Sequence, residues 1–167
     1  MKKLCLLAIA LFTVCTSYAQ TELSVPDLTI EEKFDVAKAM MYRNICSAIV
    51  EAKNGGMTPE EFGKIIGRQW IPVWDKSTGF EQFVGFSIWS WSALSDEVKI
   101  LEQSADKVEL LVPSVSKELE EEPVLESFSI EDLVAYFDGM MGEIARHLDF
   151  SMKISWGDKG MSMVITR

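Results

Sequence analysis

Residues 129–166 read SIEDLVAYFDGMMGEIARHLDFSMKISWGDKGMSMVIT and decide the fold. Ser129 suits a helix N-cap, and the apolar residues after it recur at helical spacing. They are Ile130, Leu133, Val134, Phe137, Met141, Ile144 and Leu148. The pattern then changes to alternation in two strands, 150–156 and 161–166, joined by the turn 157–160. This stretch predicts a long helix, 129–148, followed by an antiparallel hairpin with one buried and one wet face.

Two helices are predicted at the N-terminal end of the chain. Thr29 with Glu32, and Thr58 with Glu61, have the spacing of capping boxes, and Pro59 suits the first helical position. The first helix carries an apolar stripe and ends at the Gly55-Gly56 turn. The stripe consists of Phe34, Ala37, Met41, Ile45, Ala48 and Ile49. Residues 29–71 therefore predict a helical hairpin.

The middle of the chain is ambiguous between 77 and 94. Phe80, Phe83 and Phe86 repeat every three residues, which suits a helix, whereas Trp89 and Trp91 alternate as in a strand. We favour a helix over about 78–93. Residues 98–102 and 108–112 predict a second hairpin, and 118–123 an acidic surface loop.

Taken together, these elements predict an α+β fold for residues 20–167 as a single domain. An N-terminal helical hairpin and a third helix precede an antiparallel sheet built from two hairpins, with the helix 129–148 between the hairpins. Strands that cluster in hairpins, rather than alternating with helices, favour this class.

Residues 1–19 have the features of a bacterial-type secretory signal peptide. Lys2 and Lys3 form a short basic start, an apolar run of about eleven residues follows, and Ala19 ends a cleavage site. A spanning helix needs roughly twenty apolar residues, so no membrane span is expected after cleavage. We expect export to the periplasm or the extracellular medium.

Charge and residue counts exclude several kinds of partner and cofactor. The precursor has a net charge of −10, which becomes −12 when the two leader lysines are removed. This negative field disfavours nucleic acid. The mature chain would contain one cysteine, Cys46, and one histidine, His147, so no metal site and no cofactor are predicted. Helical spacing places Cys46 beside Ile45 and Ile49, which predicts a buried thiol.

Aromatic and methionine side chains form the candidate site. They are typical of a core, but they are also enriched in apolar pockets and interfaces. The candidate ligand-binding residues are Trp70, Trp74, Phe83, Phe86, Trp89, Phe137, Met141 and Trp156. Arg43, Arg68 and Arg146 are cations that could bind an acidic ligand group, or serve as surface ion-pair partners.

The C-terminal unit resembles a known group of domains. Residues 136–148, YFDGMMGEIARHL, run into a strand, a glycine-containing turn and a final strand. This pattern resembles the end of vinyl-reductase-type domains and their relatives, the haem-NO-binding-like domains and the L-2-amino-thiazoline-4-carboxylate hydrolase-like proteins. The resemblance implies an α+β small-molecule-binding module, often dimeric. Where vinyl-reductase-type domains carry cysteines, this chain has Trp156, Met161 and Met163, so no family metal ligand carries over.

Three functions follow as hypotheses. The leading one is an exported domain that binds a small apolar or amphipathic molecule without catalysis. A hydrolase of the thiazoline-carboxylate type would require Cys46, His147 and an acid such as Asp138 to converge. An envelope protein-interaction module, or a homodimer, would use the tryptophan-rich segment as its interface.

Overall fold

The structure is a computed structural model that describes residues 27–115 and 126–167. The predicted signal peptide, 1–19, and the predicted acidic loop, 118–123, lie outside the described residues. Contacts divide the chain after Lys33. The described part of the first unit contains the start of the first helix, and the second unit, Phe34–Arg167, contains the sheet and the remaining helices.

Four α-helices and four strands make up the described chain, in the predicted order. The helices are α1 (Ile30–Asn54), α2 (Pro59–Trp70), α3 (Phe80–Leu94) and α4 (Ile130–His147), and a single 3-10 turn at Ile71–Val73 follows α2. The strands are β1 (Lys99–Gln103), β2 (Lys107–Val112), β3 (Ser151–Gly157) and β4 (Gly160–Thr166). The predicted α+β class is confirmed, and the ambiguous segment 77–94 contains a helix.

The four strands form one antiparallel sheet in the order β1-β2-β4-β3. Ile165 lies between Val108 on β2 and Met152 on β3, and Met163 lies between Leu110 and Ile154. All six of these residues are buried, so this face of the sheet forms one wall of the hydrophobic core. The opposite face of β3 is exposed at every second residue, as the alternation predicts.

The predicted caps are present. The Thr58 hydroxyl accepts a hydrogen bond from the backbone N–H of Glu61, while the Glu61 carboxylate accepts one from the N–H of Thr58. Ser129 and Asp132 form the same reciprocal pair at the start of α4. These local bonds satisfy amides that a helix N-terminus leaves unpaired, which is why the sequence located both helix starts.

Helices α2 and α4 pack backbone to backbone because glycines face the crossing on both. A Cβ atom on Gly63 would lie 2.0 Å from the carbonyl oxygen of Tyr136, and one on Gly139 would lie 2.2 Å from that of Glu60. Gly139 therefore lies in the close contact between the two helices and does not border open space.

The apolar stripe predicted for α1 is wrong at its N-terminal end. Phe34 is 51% exposed, and the buried residues of this helix are Tyr42, Cys46 and Ile49. Within the second unit, Phe34 and Val36 are about half exposed, so apolar periodicity does not lead to burial at this end of the helix. The predicted burial of Cys46 is confirmed.

Candidate functional site

An apolar cavity of about 360 Å³ lies among the four helices within the second unit. Its wall combines α1, the last residue of α2, Trp74, α3 and α4. The lining residues are Met41, Ile45, Trp70, Trp74, Phe86, Ser87, Ser90, Trp91, Leu94, Tyr136, Phe137, Met140, Met141 and Ile144. Its volume falls within the usual range for small-molecule sites, which are mostly apolar with a few polar groups.

The helical period of α3 separates its aromatic residues into two sets. Phe83 and Trp91 lie on the buried face, whereas Phe86 and Trp89 are 42% and 69% exposed. Phe86 both lines the cavity and reaches the surface, and so does Trp70, which is 53% exposed. These two residues therefore mark the mouth of the cavity.

Trp74 is held at the cavity wall by contacts on three sides. Its ring meets Phe83 at 5.5 Å and Phe86 at 4.8 Å between ring centroids, both edge to face. Its carbonyl oxygen lies 3.3 Å from Nε2 of His147, and a ring nitrogen in this position donates the hydrogen bond. His147 thus connects the end of α4 to the chain between α2 and α3.

Two polar side chains in the wall are buried but make no hydrogen bond. Trp91 is 3% exposed and Tyr136 is 7% exposed, and within residues 27–115 and 126–167 neither the indole N–H nor the phenol has a partner. No side-chain nitrogen or oxygen in the same ranges is both fully enclosed and unpaired. Each polar tip therefore keeps some accessible surface, and both residues line the cavity.

Among the described residues, none of those that line the cavity is charged. Of the three arginines considered for an acidic ligand, Arg68 and Arg146 both pair with Glu143, at 3.4 Å and 2.9 Å from nitrogen to oxygen. Arg43 is exposed on α1. The structure therefore brings none of the three into the cavity wall.

Five of the eight predicted ligand-binding residues line the cavity. They are Trp70, Trp74, Phe86, Phe137 and Met141. Phe83 lies behind the wall in the core, Trp89 lies on the surface, and Trp156 lies on β3 opposite Met161. The last three are therefore not cavity residues.

The predicted ligand-binding residues leave out nine of the fourteen residues that line the cavity. Met41 and Ile45 belonged to the predicted α1 stripe, and Tyr136 and Met140 adjoin residues that were chosen on α4. Trp91 stood in the aromatic run without being selected. Only the pairing of distant helices identifies which members of these runs meet.

The residues required for a hydrolase make contacts with other groups. Cys46 is 0% exposed, and burial raises the pKa of its thiol to about 11. Asp138 accepts hydrogen bonds from Lys153 and from the backbone N–H of Ile154, and His147 contacts Trp74. In the part of the chain that the structure describes, no hydrogen bond or ion pair joins any two of Cys46, His147 and Asp138.

No protein-family model matches the sequence, and no curated protein matches it significantly. The C-terminal resemblance to vinyl-reductase-type domains therefore stays a prediction. Within the described residues, His, Cys, Asp and Glu form no cluster of three or more that could hold a metal ion. None of the described helices is both long enough and apolar enough to cross a membrane.

Proposed function

We propose that this protein binds a small, mostly apolar molecule in the cavity among its four helices and does not catalyse a reaction on it. The observation that carries the proposal is the wall itself, which is apolar and aromatic except for two serines and the polar tips of Tyr136 and the tryptophans. Such walls bind ligands chiefly by removing apolar surface from water.

The size and opening of the cavity support a binding site rather than a packing defect. Protein interiors hold few voids larger than a water molecule, whereas this cavity measures about 360 Å³. Trp70 and Phe86 line it while remaining 53% and 42% exposed, so a ligand has a route from solvent. A smaller hollow of about 310 Å³ beside β1 has Glu81 and Gln103 in its wall and suits an apolar ligand less.

We also propose that the protein is exported, with cleavage after Ala19. The support is the basic start, apolar run and small-residue site of residues 1–19. Intact-mass measurement of the protein from the periplasm and the medium of an expressing bacterium tests this. A chain that begins at Gln20 is expected, and an intact cytoplasmic precursor would refute export.

A neutral fluorescent probe tests the binding proposal. N-phenylnaphthylamine should bind the mature chain, 20–167, saturably and with one site, with enhanced emission in the apolar cavity. Ser90→Phe places a ring in the cavity wall and should lower the affinity for the probe by at least about tenfold. Ser155→Phe, the same substitution on the exposed face of β3, is the matched control and should bind like the wild type.

Saturable binding that Ser90→Phe leaves unchanged would place the site elsewhere. No saturable binding by a folded wild-type protein, with circular dichroism confirming its helices, would refute the proposal. Thermal unfolding of both variants separates a blocked cavity from a lost fold.

The exposed aromatic residues favour a second candidate, self-association. Phe86 and Trp89 contact each other at 6.2 Å between ring centroids, and Trp89 is 69% exposed. Exposed apolar patches of this kind mark interfaces in many proteins. A second copy of the chain is the proposed partner. Sedimentation should show a dimer that Trp89→Ser dissociates, and a monomer at all concentrations would exclude it.

A further inference from the structure

We propose that the ligand is uncharged and carries one hydrogen-bonding group, which Trp91 and Tyr136 bind at the inner end of the cavity while the apolar body points to the mouth. This inference rests on the proposed binding function. It adds the chemical class of the ligand and its orientation.

The polar group of the ligand is inferred from the two unpaired groups in the wall. The indole N–H of Trp91 can only donate, whereas the phenol of Tyr136 can donate or accept. Both residues are more than nine-tenths buried, and since no enclosed side-chain nitrogen or oxygen among the described residues is unpaired, each polar tip meets open space, where a ligand could supply the missing hydrogen bond. A ligand oxygen that accepts from Trp91 and pairs with Tyr136 would satisfy both groups.

The absence of charge on the ligand follows from the surroundings. Burial raises the pKa of the Tyr136 phenol, so this group is neutral at physiological pH. The part of the wall that the structure describes offers no cation for an anionic ligand and no carboxylate for a cationic one. An unpaired charge in such a site costs far more than a hydroxyl or carbonyl group.

The orientation follows from the exposure gradient along the wall. Trp91 and Tyr136 are 3% and 7% exposed, whereas Trp70 and Phe86 are 53% and 42% exposed. Trp91 and Tyr136 are therefore the enclosed part of the wall, and Trp70 and Phe86 are its open part. This is the reverse of a surfactant-like arrangement in which the polar head stays in water.

A cationic ligand is the strongest rival, because aromatic rings attract ammonium groups through their faces. The contacts between rings in the wall argue against a cationic ligand. Trp74 meets Phe86 at 89° and Trp91 meets Phe137 at 73° between ring planes. Each pair directs an edge at a neighbouring face, which leaves fewer faces free for a cation.

Displacement of N-phenylnaphthylamine by four probes with the same alkyl chain tests the inference. The probes are decane, decanol, decanoate and decyltrimethylammonium. We expect decanol to displace the fluorophore at a concentration at least about tenfold below that of decanoate or the ammonium probe. Tyr136→Phe removes only the hydroxyl oxygen, and it should weaken the affinity for decanol about threefold to tenfold while the affinity for decane stays the same. Trp91→Phe removes the indole N–H together with part of the ring, and it should weaken the affinity for decanol by a larger factor than the affinity for decane. Trp156→Phe, outside the cavity, is the control.

The displacement results test the neutral ligand, its polar contact and the binding function separately. Decanoate or the ammonium probe binding as well as decanol would overturn the neutral ligand, and unchanged decanol affinity in both variants would overturn the polar contact. A fluorophore that never binds the folded wild type refutes the binding function and this inference together. If Trp91→Phe does not fold, Tyr136→Phe, which removes a single oxygen atom, still decides the polar contact.

Discussion

Tyr42 and Cys46 occupy neighbouring turns of α1, on the side that joins the core, and both side chains titrate abnormally. Burial raises the pKa of each. The Tyr42 hydroxyl donates to the carbonyl oxygen of Leu94 at 3.0 Å, which keeps the neutral form in place. Helical spacing predicted the burial of Cys46 but not that of Tyr42. It also included Phe34, which is exposed, because no local feature of the sequence shows where along a helix the core begins.

The raised pKa of Cys46 predicts a loss of stability in alkali. The unfolded thiol releases its proton near its ordinary value of 9.0, whereas the folded thiol keeps it up to about 11. Stability from this group is therefore complete below pH 9 and is lost as pH rises through 11. Urea unfolding under reducing conditions should show that the free energy of unfolding falls between pH 7 and pH 10 by about 1 kcal/mol more in the wild type than in Cys46→Ala. Equal losses would show that the thiol ionises freely in the folded state.

At the scale of elements, local chemistry determined where helices start, and tertiary contact determined how they pack. The start of α2 was predicted from the capping pair Thr58 and Glu61, and the start of α4 from Ser129 as an N-cap. α3 was ambiguous because it is apolar on its exposed side too, with Phe86 and Trp89 there. The crossing of α2 and α4 could not be predicted, since Gly63 and Gly139 acquire their role only when the two helices meet.

Two glycines of α4 provide a matched pair for the crossing. A Cβ on Gly139 would lie 2.2 Å from the Glu60 carbonyl oxygen, but one on Gly142 would lie 3.7 Å from its nearest neighbour, the Met152 carbonyl oxygen. Gly139→Ala should lower the free energy of unfolding by about 2–3 kcal/mol. Gly142→Ala should leave it unchanged or raise it by up to about 1 kcal/mol through helix propensity. If the two alanine variants changed the free energy of urea unfolding by similar amounts, the close crossing of α2 and α4 would be contradicted.

Asp138 connects α4 to the edge strand β3. Its carboxylate accepts a 2.6 Å hydrogen bond from the N–H of Ile154 and pairs with Lys153. Asp138→Ala should cost about 1–3 kcal/mol, because it leaves a partly buried amide unpaired, and should speed hydrogen exchange at Ile154. Asp138→Asn keeps an acceptor oxygen and should cost less than half as much. If the alanine variant exchanged at the wild-type rate, the amide would be protected by something else.

At the scale of the whole molecule, the cavity is a product of four helices that are distant in sequence. Composition indicated an aromatic site, and five of the predicted residues line the cavity, whereas Trp91 and Tyr136 line it without having been predicted. Their importance comes from burial without a partner, which depends on every contact around them. Binding should also stabilise the fold by an amount that rises with the logarithm of ligand concentration, reaching about 2.7 kcal/mol at one hundred times the dissociation constant.

Native mass spectrometry of the mature chain, 20–167, purified without refolding, tests the central claim most directly. We predict a single added mass, of a neutral compound, that is lost on denaturation and is absent from Ser90→Phe but present on Ser155→Phe. An added mass retained by Ser90→Phe would place the ligand outside the cavity. A wild-type protein that is free of ligand, and stays free when decanol is added in excess, would contradict the account.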